Sequence, residues 1–263
     1  MENSKIEWTH HTANLWWGCT EVHEGCDNCY AKRLANRYGV GWGLGASRKM
    51  LKKSLTQFMG LQAKAAAAGE VHRVFVGSMM DIFEKDMPLI NHQGEPAIDA
   101  SDGSPIGTAA LRDQFFNEVV PSCPNLFFLL LTKRPSNINK MIPEQWRLVP
   151  PKNVMYGASV VNQKTYEDVK RHLSKVCGRT FYSVEPQLSF INFTVTSLID
   201  GPDWIIQGGE SGPGRRPFNT DWARHTRDVC YKAGIPYFFK QVDKVQEIPD
   251  DLKIRQFPIY GIY

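Results

Sequence analysis

Six short apolar runs, each closed by a polar or glycine-containing stretch, set the rhythm of this chain. They cover residues 72–78, 125–132, 153–159, 179–184, 203–208 and 236–240. Runs of this length, apolar at consecutive rather than alternate positions, predict strands buried on both faces. Amphipathic stretches lie between them. Residues 108–119, 135–146, 162–176 and 221–233 predict helices, the last stopped by Gly234. Upstream, 13–17 predicts a short first strand. Residues 29–38 predict a helix with Tyr30, Ala31, Leu34 and Tyr38 on one face and Lys32, Arg33 and Arg37 on the other. Alternating glycines make 39–45 a loop, and 48–68 predicts a helix ended by Gly69.

Buried strands alternating with helices imply a parallel sheet in an α/β fold. The count predicts a partial or nearly closed parallel (β/α) barrel of six to seven strands, like a TIM barrel, in a single domain spanning 1–263. Residues 82–107, rich in Pro, Gly, Asp and Asn, interrupt the pattern as one irregular insert, by its length a lid or binding loop or else merely disordered.

Composition refines this picture only slightly. Hydrophobic residues make up 42% and charged residues 22%, as in a globular protein. The net charge of +4, from 31 basic and 27 acidic residues, permits a nucleic-acid partner without demanding one. The first residues show no apolar signal segment, and the longest apolar run, 126–131, is too short to span a bilayer. The expectation is a cytoplasmic protein without membrane contact, in which disulfides do not form. Cys123, Cys177 and Cys230 are dispersed and read as small buried hydrophobes.

In a parallel barrel, chemistry gathers on the loops after the carboxyl ends of the strands. Those positions are polar throughout. They hold Cys19, Cys26 and Cys29; Ser78 and Asp81; Thr132, Lys133 and Arg134; Ser159 and Asn162; Glu185; Gly208, Gly209 and Glu210; and Lys240 and Gln241. Lys133, Glu185 and Lys240 are the candidate catalytic groups. The three cysteines, with six residues between the first pair and two between the second, are the candidate metal ligands. One reading is structural zinc, completed by His10, His11 or His23. The other is an iron–sulfur cluster in which three thiolates hold three irons and the fourth iron stays open. The position after the first strand, at the barrel mouth, favours the second.

A strand, a three-cysteine loop, a helix and then a parallel barrel together resemble the radical SAM superfamily. The wider chain resembles a phage and bacterial family of three-Cys-motif, radical-SAM-like proteins. The matching pieces are Ile6-Glu-Trp-Thr9, Gly18-Cys19 through Gly25-Cys26-Asp-Asn-Cys29-Tyr-Ala31, Val76-Gly-Ser-Met79, Leu131-Thr-Lys-Arg-Pro135, Ser183-Val-Glu-Pro186, Gly208-Gly-Glu-Ser-Gly-Pro213 and Phe238-Phe-Lys-Gln241. The resemblance implies that Cys19, Cys26 and Cys29 hold a [4Fe-4S] cluster whose open iron binds S-adenosylmethionine (SAM). A flavodoxin- or ferredoxin-type donor reduces the cluster, and SAM cleavage gives a 5′-deoxyadenosyl radical that takes a hydrogen atom from the substrate.

The superfamily's usual cysteine spacing is three then two, and an aromatic residue usually precedes the third cysteine. Here that residue is Asn28, and the aromatic, Tyr30, follows. The Gly-Gly-Glu element usual after the second strand follows the sixth here, as Gly208-Gly209-Glu210. The resemblance therefore assigns Ser78 and Asp81 to the SAM amino group and Glu210 to SAM or substrate. Tyr30, Ser159, Gly208 and Gly209 complete the candidate cofactor-binding set.

Lys133, Arg134, Arg215, Arg216 and Lys240 fall at the expected mouth, with Lys32, Arg33, Arg48, Lys49, Lys52 and Lys53 on nearby faces and Trp16, Trp17 and Trp42 beside the cysteine loop. Cations with stacking surfaces suit a nucleotide or a flipped DNA base, and the phage association fits a hypermodified base. Arg134 and Arg215 equally suit a carboxylate or phosphate. The alternative is a non-catalytic nucleic-acid-binding protein holding zinc or an inert cluster.

Overall fold

The structure is a computed structural model that describes residues 2–99 and 101–259. In chain order it runs β1 (His11–Ala13), β2 (Trp16–Trp17), α1 (Tyr30–Arg37), β3 (Arg48–Met50), α2 (Thr56–Ala68), β4 (His72–Val76) and β5 (Leu89–Ile90). A long helical segment follows: α3 (Thr108–Gln114) and α4 (Val120–Ser122), joined by the π-turn Phe115–Val119. The rest is β6 (Leu126–Thr132), α5 (Ile138–Met141), β7 (Val154–Ser159), α6 (Gln163–Leu173), β8 (Arg179–Val184), α7 (Val195–Leu198), β9 (Trp204–Gly208), α8 (Thr220–Ala233) and β10 (Tyr237–Gln241). Among the described residues no helix is long and apolar enough to cross a membrane.

Seven strands form one sheet in the order β1-β4-β6-β7-β8-β9-β10, every neighbouring pair parallel. The sheet curls into a half-barrel. The expected partial parallel barrel is therefore the observed fold. Gly69 and Gly234 end α2 and α8 in the left-handed conformation, as expected.

Several boundaries differ from expectation. The first barrel strand is His11–Ala13, not 13–17. Trp16 and Trp17 instead join Arg48–Met50 and Leu89–Ile90 in a separate three-stranded sheet. Only the second half of 48–68 is helical, because Arg48–Met50 pairs with β2 and β5. The 135–146 segment breaks into the 3₁₀ turn Pro135–Asn137, the short α5 and the 3₁₀ turn Glu144–Arg147, with Pro143 unable to continue the helix. On α1 the buried face is Ala31 and Ala35, so Tyr38 is exposed and Tyr30, half exposed, turns its hydroxyl to the Ser78 carbonyl. The 82–107 insert is a packed ribbon rather than a free lid. Bridges link Pro88 to Gly107, Ile90 to Pro96 and Ile98 to Pro105, and Ile82, Phe83, Leu89 and Ala97 are buried in the main core. Cys123 and Cys230 are fully buried as expected, whereas Cys177 is partly exposed.

Two apolar layers flank the sheet. The larger joins its convex side to the helices. The smaller fills the concave side near the amino ends of the strands, with Trp8, Phe75, Phe127, Leu129, Met155, Phe181, Trp204, Ile206 and Phe238. Its packing depends on Gly157. A Cβ there would lie 2.1 Å from the Phe181 ring. Gly157→Ala is expected to destabilise the fold by about 1–3 kcal/mol through overpacking, read as a lower thermal midpoint.

A histidine cluster closes the same end. The Arg73 amide donates to His10 Nδ1 at 2.8 Å, and the Asn3 amide donates to His11 Nδ1 at 3.2 Å. His11 Nε2 meets His72 Nδ1 at 3.0 Å, and His72 Nε2 meets Glu70 at 2.9 Å. Burial, then the Arg73 charge, lowers His10 to about 4; burial, then His72, also lowers His11. Groups held neutral in the fold but protonated when unfolded make stability full above about pH 6.5 and erode it as pH falls toward 4. Denaturation midpoints measured between pH 7.5 and 4.5 should fall through that window, and His10→Asn should flatten part of the slope.

Candidate functional site

The cysteine segment lies across the carboxyl ends of the half-barrel. It leaves β2 at Gly18, whose φ of 114° suits glycine and whose missing side chain leaves room for Arg48, with Cδ 2.8 Å from where a Cβ would stand. After Cys19 it crosses to the 3₁₀ turn Glu24–Cys26, capped by His23 Nδ1, which accepts from the Gly25 amide at 3.1 Å. Cys29 then caps α1.

Both ends of this segment are anchored. At the first end, Arg134 donates to Cys19 Sγ at 3.7 Å, to the Thr20 carbonyl at 2.6 Å and to Asp81 at 2.8 Å. Arg48, fully buried, donates to both oxygens of Glu84 at 2.9 and 2.8 Å and to Thr20 Oγ1 at 2.7 Å. Glu84 also reaches Arg134 at 3.5 Å, so two arginines and two carboxylates form one lattice beneath Thr20. At the other end Asn28 donates to Glu210 at 2.8 Å and to the Gly214 carbonyl at 2.9 Å. Arg216 donates to Glu210 and to the Glu24 carbonyl, and Asn162 donates to the Glu24 side chain. The loop is thus tied to the loops that follow β4, β6, β7 and β9.

Beneath it, strand alternation sets which side chains face the concavity. Continuing from the buried aromatic layer toward the carboxyl ends, β6 places Leu131 and Lys133 inward, β7 places Ser159, β8 places Ser183 and Glu185, and β10 places Lys240. Lys240 pairs with Glu185 at 2.5 Å, both largely buried. Tyr30 completes the wall. Its hydroxyl donates to the Ser78 carbonyl at 2.8 Å, and the residue as a whole is half exposed. Yet protein surrounds it closely enough that burial, then Cys29 and Glu185, pushes the phenol up.

The expected site residues divide into two groups. Cys19, Cys26, Cys29, Tyr30, Ser78, Lys133, Ser159, Glu185 and Lys240 come together around the mouth. Asp81 and Glu210 also lie there, but both carboxylates are committed to the scaffold. Asp81 accepts from Thr132 Oγ1, the Lys133 amide, the Phe83 amide and Arg134. Burial alone would raise the Glu210 carboxyl; the bonds from Arg216 and Asn28 outweigh it and hold it low. Neither is available to a SAM amino group. Gly208 and Gly209 serve close backbone approach: a Cβ on Gly209 would lie 2.1 Å from the Val242 carbonyl. The basic surface is smaller than expected. Arg48 is buried, Arg134 pairs with Asp81, Arg215 with Asp243, Arg216 with Glu210 and Lys32 with Glu21.

The zinc alternatives also change. His10 and His11 lie at the opposite end of β1 and are occupied in their own cluster, so only His23 accompanies the cysteines. Burial, then Lys133, lowers His23 to about 4. Burial, then Asp81 and Glu84, pushes the Cys19 thiol up to about 12 against the pull of Arg134. Among the described residues, no three His, Cys, Asp or Glu side chains already stand at the spacing of a single-ion site. The donor set is three free thiols on one loop, the ligand type that iron–sulfur clusters take.

Sequence reasoning missed Asn14, Thr20 and Glu84, and took Arg48, which is fully buried, for part of a basic face. Asn14 donates to Ser78 Oγ at 2.9 Å and accepts from the Met79 amide at 2.7 Å, fixing the β4 loop. An arginine inside a predicted helix and a glutamate inside a predicted loop gave no signal of their pairing, which spans 36 positions.

The sequence model of the family described as "Protein of unknown function (DUF5131)" matches residues 3–93 and 106–253, leaving out the tip of the 82–107 ribbon. No curated protein and no solved structure matches the chain. With nearly the whole chain matched, the protein belongs to the DUF5131 family.

Proposed function

We propose that this protein is a radical SAM enzyme whose substrate is a nucleobase or nucleotide, in free form or in DNA. One observation carries the reading: a loop bearing three free thiols is tied across the carboxyl ends of a parallel half-barrel, where the strands end in polar side chains. Cys19, Cys26 and Cys29 would hold a [4Fe-4S] cluster, which when bound supplies the electron for reductive cleavage of SAM.

The chain's own residues have separate tasks. Arg134 places a cation beside the Cys19 sulfur and fixes the loop through the Thr20 carbonyl. Tyr30 and Ser78 form the wall nearest Cys29. The aromatic layer under Phe181 and Trp204 excludes water from below. Lys133, Glu185 and Lys240 supply the charged groups that orient a polar substrate, with Glu185 and Lys240 holding each other until it arrives.

Anaerobic purification and reconstitution test this reading. About four irons per chain and SAM cleavage on reduction are expected. A colourless protein with one zinc per chain and no cleavage would replace it with the nucleic-acid-binding alternative.

A further inference from the structure

Among the described residues two arginines are buried, and their surroundings differ sharply. Arg48 makes five hydrogen bonds, two of them to the Glu84 carboxylate. Arg112, 6% exposed, makes one, from Nη1 to the Glu84 main-chain carbonyl at 3.1 Å. The Asp113 carboxylate comes no closer to it than 3.9 Å, from Nε, beyond hydrogen-bond reach. Burial lowers the Arg112 pKa, and the fields of Asp113 and Asp86 do not make up the difference. Nε is sealed inside the protein, but Nη2, which also makes no hydrogen bond, is not. A guanidinium stays charged at any physiological pH, so Arg112 is a buried cation with no counter-ion bonded to it.

This side chain lines a cleft of about 470 Å³ between α3 and α5, on the helical side of the sheet and away from Glu185 and Lys240. Lys140 of α5 lines it too, exposed and without an ion pair among the described residues. Met141, Ile142 and Pro143 give it an apolar wall, and the exposed Asp113 stands at its rim. The π-turn Phe115–Val119 follows α3 here, an irregularity frequent at functional sites. We propose that this cleft binds a small organic anion, with its carboxylate or phosphate between Arg112 Nη2 and Lys140 and its apolar part against Met141, Ile142 and Pro143. An oxyanion would complete the Arg112 guanidinium with the charge-assisted hydrogen bond that the fold itself does not supply. Two cations against the one rim carboxylate favour an anion over a neutral or cationic ligand. The site is separate from the barrel mouth, and the inference does not depend on the radical reading.

Titration of the full chain in Tris chloride with benzoate, phenyl phosphate, acetate, inorganic phosphate and benzyl alcohol tests this, read by calorimetry and thermal melting. Benzoate or phenyl phosphate is expected to bind roughly tenfold or more tightly than benzyl alcohol, which lacks the charge, and than acetate or inorganic phosphate, which lack the ring. The tighter of the two aryl anions identifies the oxyanion as carboxylate or phosphate. Arg112→Met should abolish the preference while melting near the parent's midpoint, since a buried charge without a counter-ion adds little to the fold. Lys140→Ala, at an exposed position, keeps the fold in any case and should weaken aryl-anion binding roughly threefold. No binding of either aryl anion, equally tight binding of benzyl alcohol or of the small anions, or an aryl-anion affinity unchanged in either variant overturns the proposal.

Discussion

Glu84→Ala is expected to destabilise the protein by about 3–5 kcal/mol, the usual effect of removing one partner from a buried ion pair. Glu84 is 3% exposed, and its carboxylate meets Arg48, itself fully buried, through two hydrogen bonds. Truncation leaves the Arg48 guanidinium in a low-dielectric environment with only Thr20 and two loop carbonyls for company. Arg134 loses one of its two carboxylates as well. Because Arg48 and Arg134 both hold Thr20, the damage should reach the cysteine loop. Urea denaturation should show the lost stability, and limited proteolysis should find new cleavage near residue 20. A variant within about 1 kcal/mol of the parent would mean the lattice contributes no more than surface pairs do.

Cys26→Ala should have the largest effect on activity and almost none on the fold. Cys26 is buried, but its sulfur accepts only a long contact from the Val22 amide, 3.5 Å, and alanine removes that one atom alone. The expected result is a normal thermal midpoint, iron well below the parent's, and SAM cleavage at background. Cleavage that survives with full iron content would show that the ligands have been misassigned. Arg134→Gln is the companion experiment. It leaves all three thiols in place but removes the cation beside Cys19, and a loss of about 10–100-fold in metal affinity is expected from disrupting such a supporting contact. Arg134→Lys should restore part of it, because the charge returns without the second nitrogen that binds the Thr20 carbonyl.

Residue order alone was enough for the barrel. Consecutive apolar positions such as 126–131 can only be buried on both faces, and their alternation with amphipathic helices admits little besides a parallel sheet. The gathering of polar groups at one end followed from the same logic, since every strand of a parallel sheet points the same way. Left-handed glycines at 69 and 234 and the thiol spacing were legible because their causes are local.

Tertiary structure decided which of those polar groups are free. Asp81 and Glu210 looked like ligands for a cofactor, yet each is saturated by partners that include groups distant in sequence: Arg134, 53 positions from Asp81, and Asn28, 182 positions from Glu210, which Arg216 also binds. Arg48 looked like a solvated cation on a helix and proved to be the buried centre of the loop's support. Trp16 and Trp17 left the barrel because their backbone pairs with Lys49 and Met50, a choice made by strand pairing rather than by apolar character. Periodicity reports which face of an element is buried, because that depends on neighbours a few residues away. Whether a charge is paired depends on groups brought together only when the sheet curls.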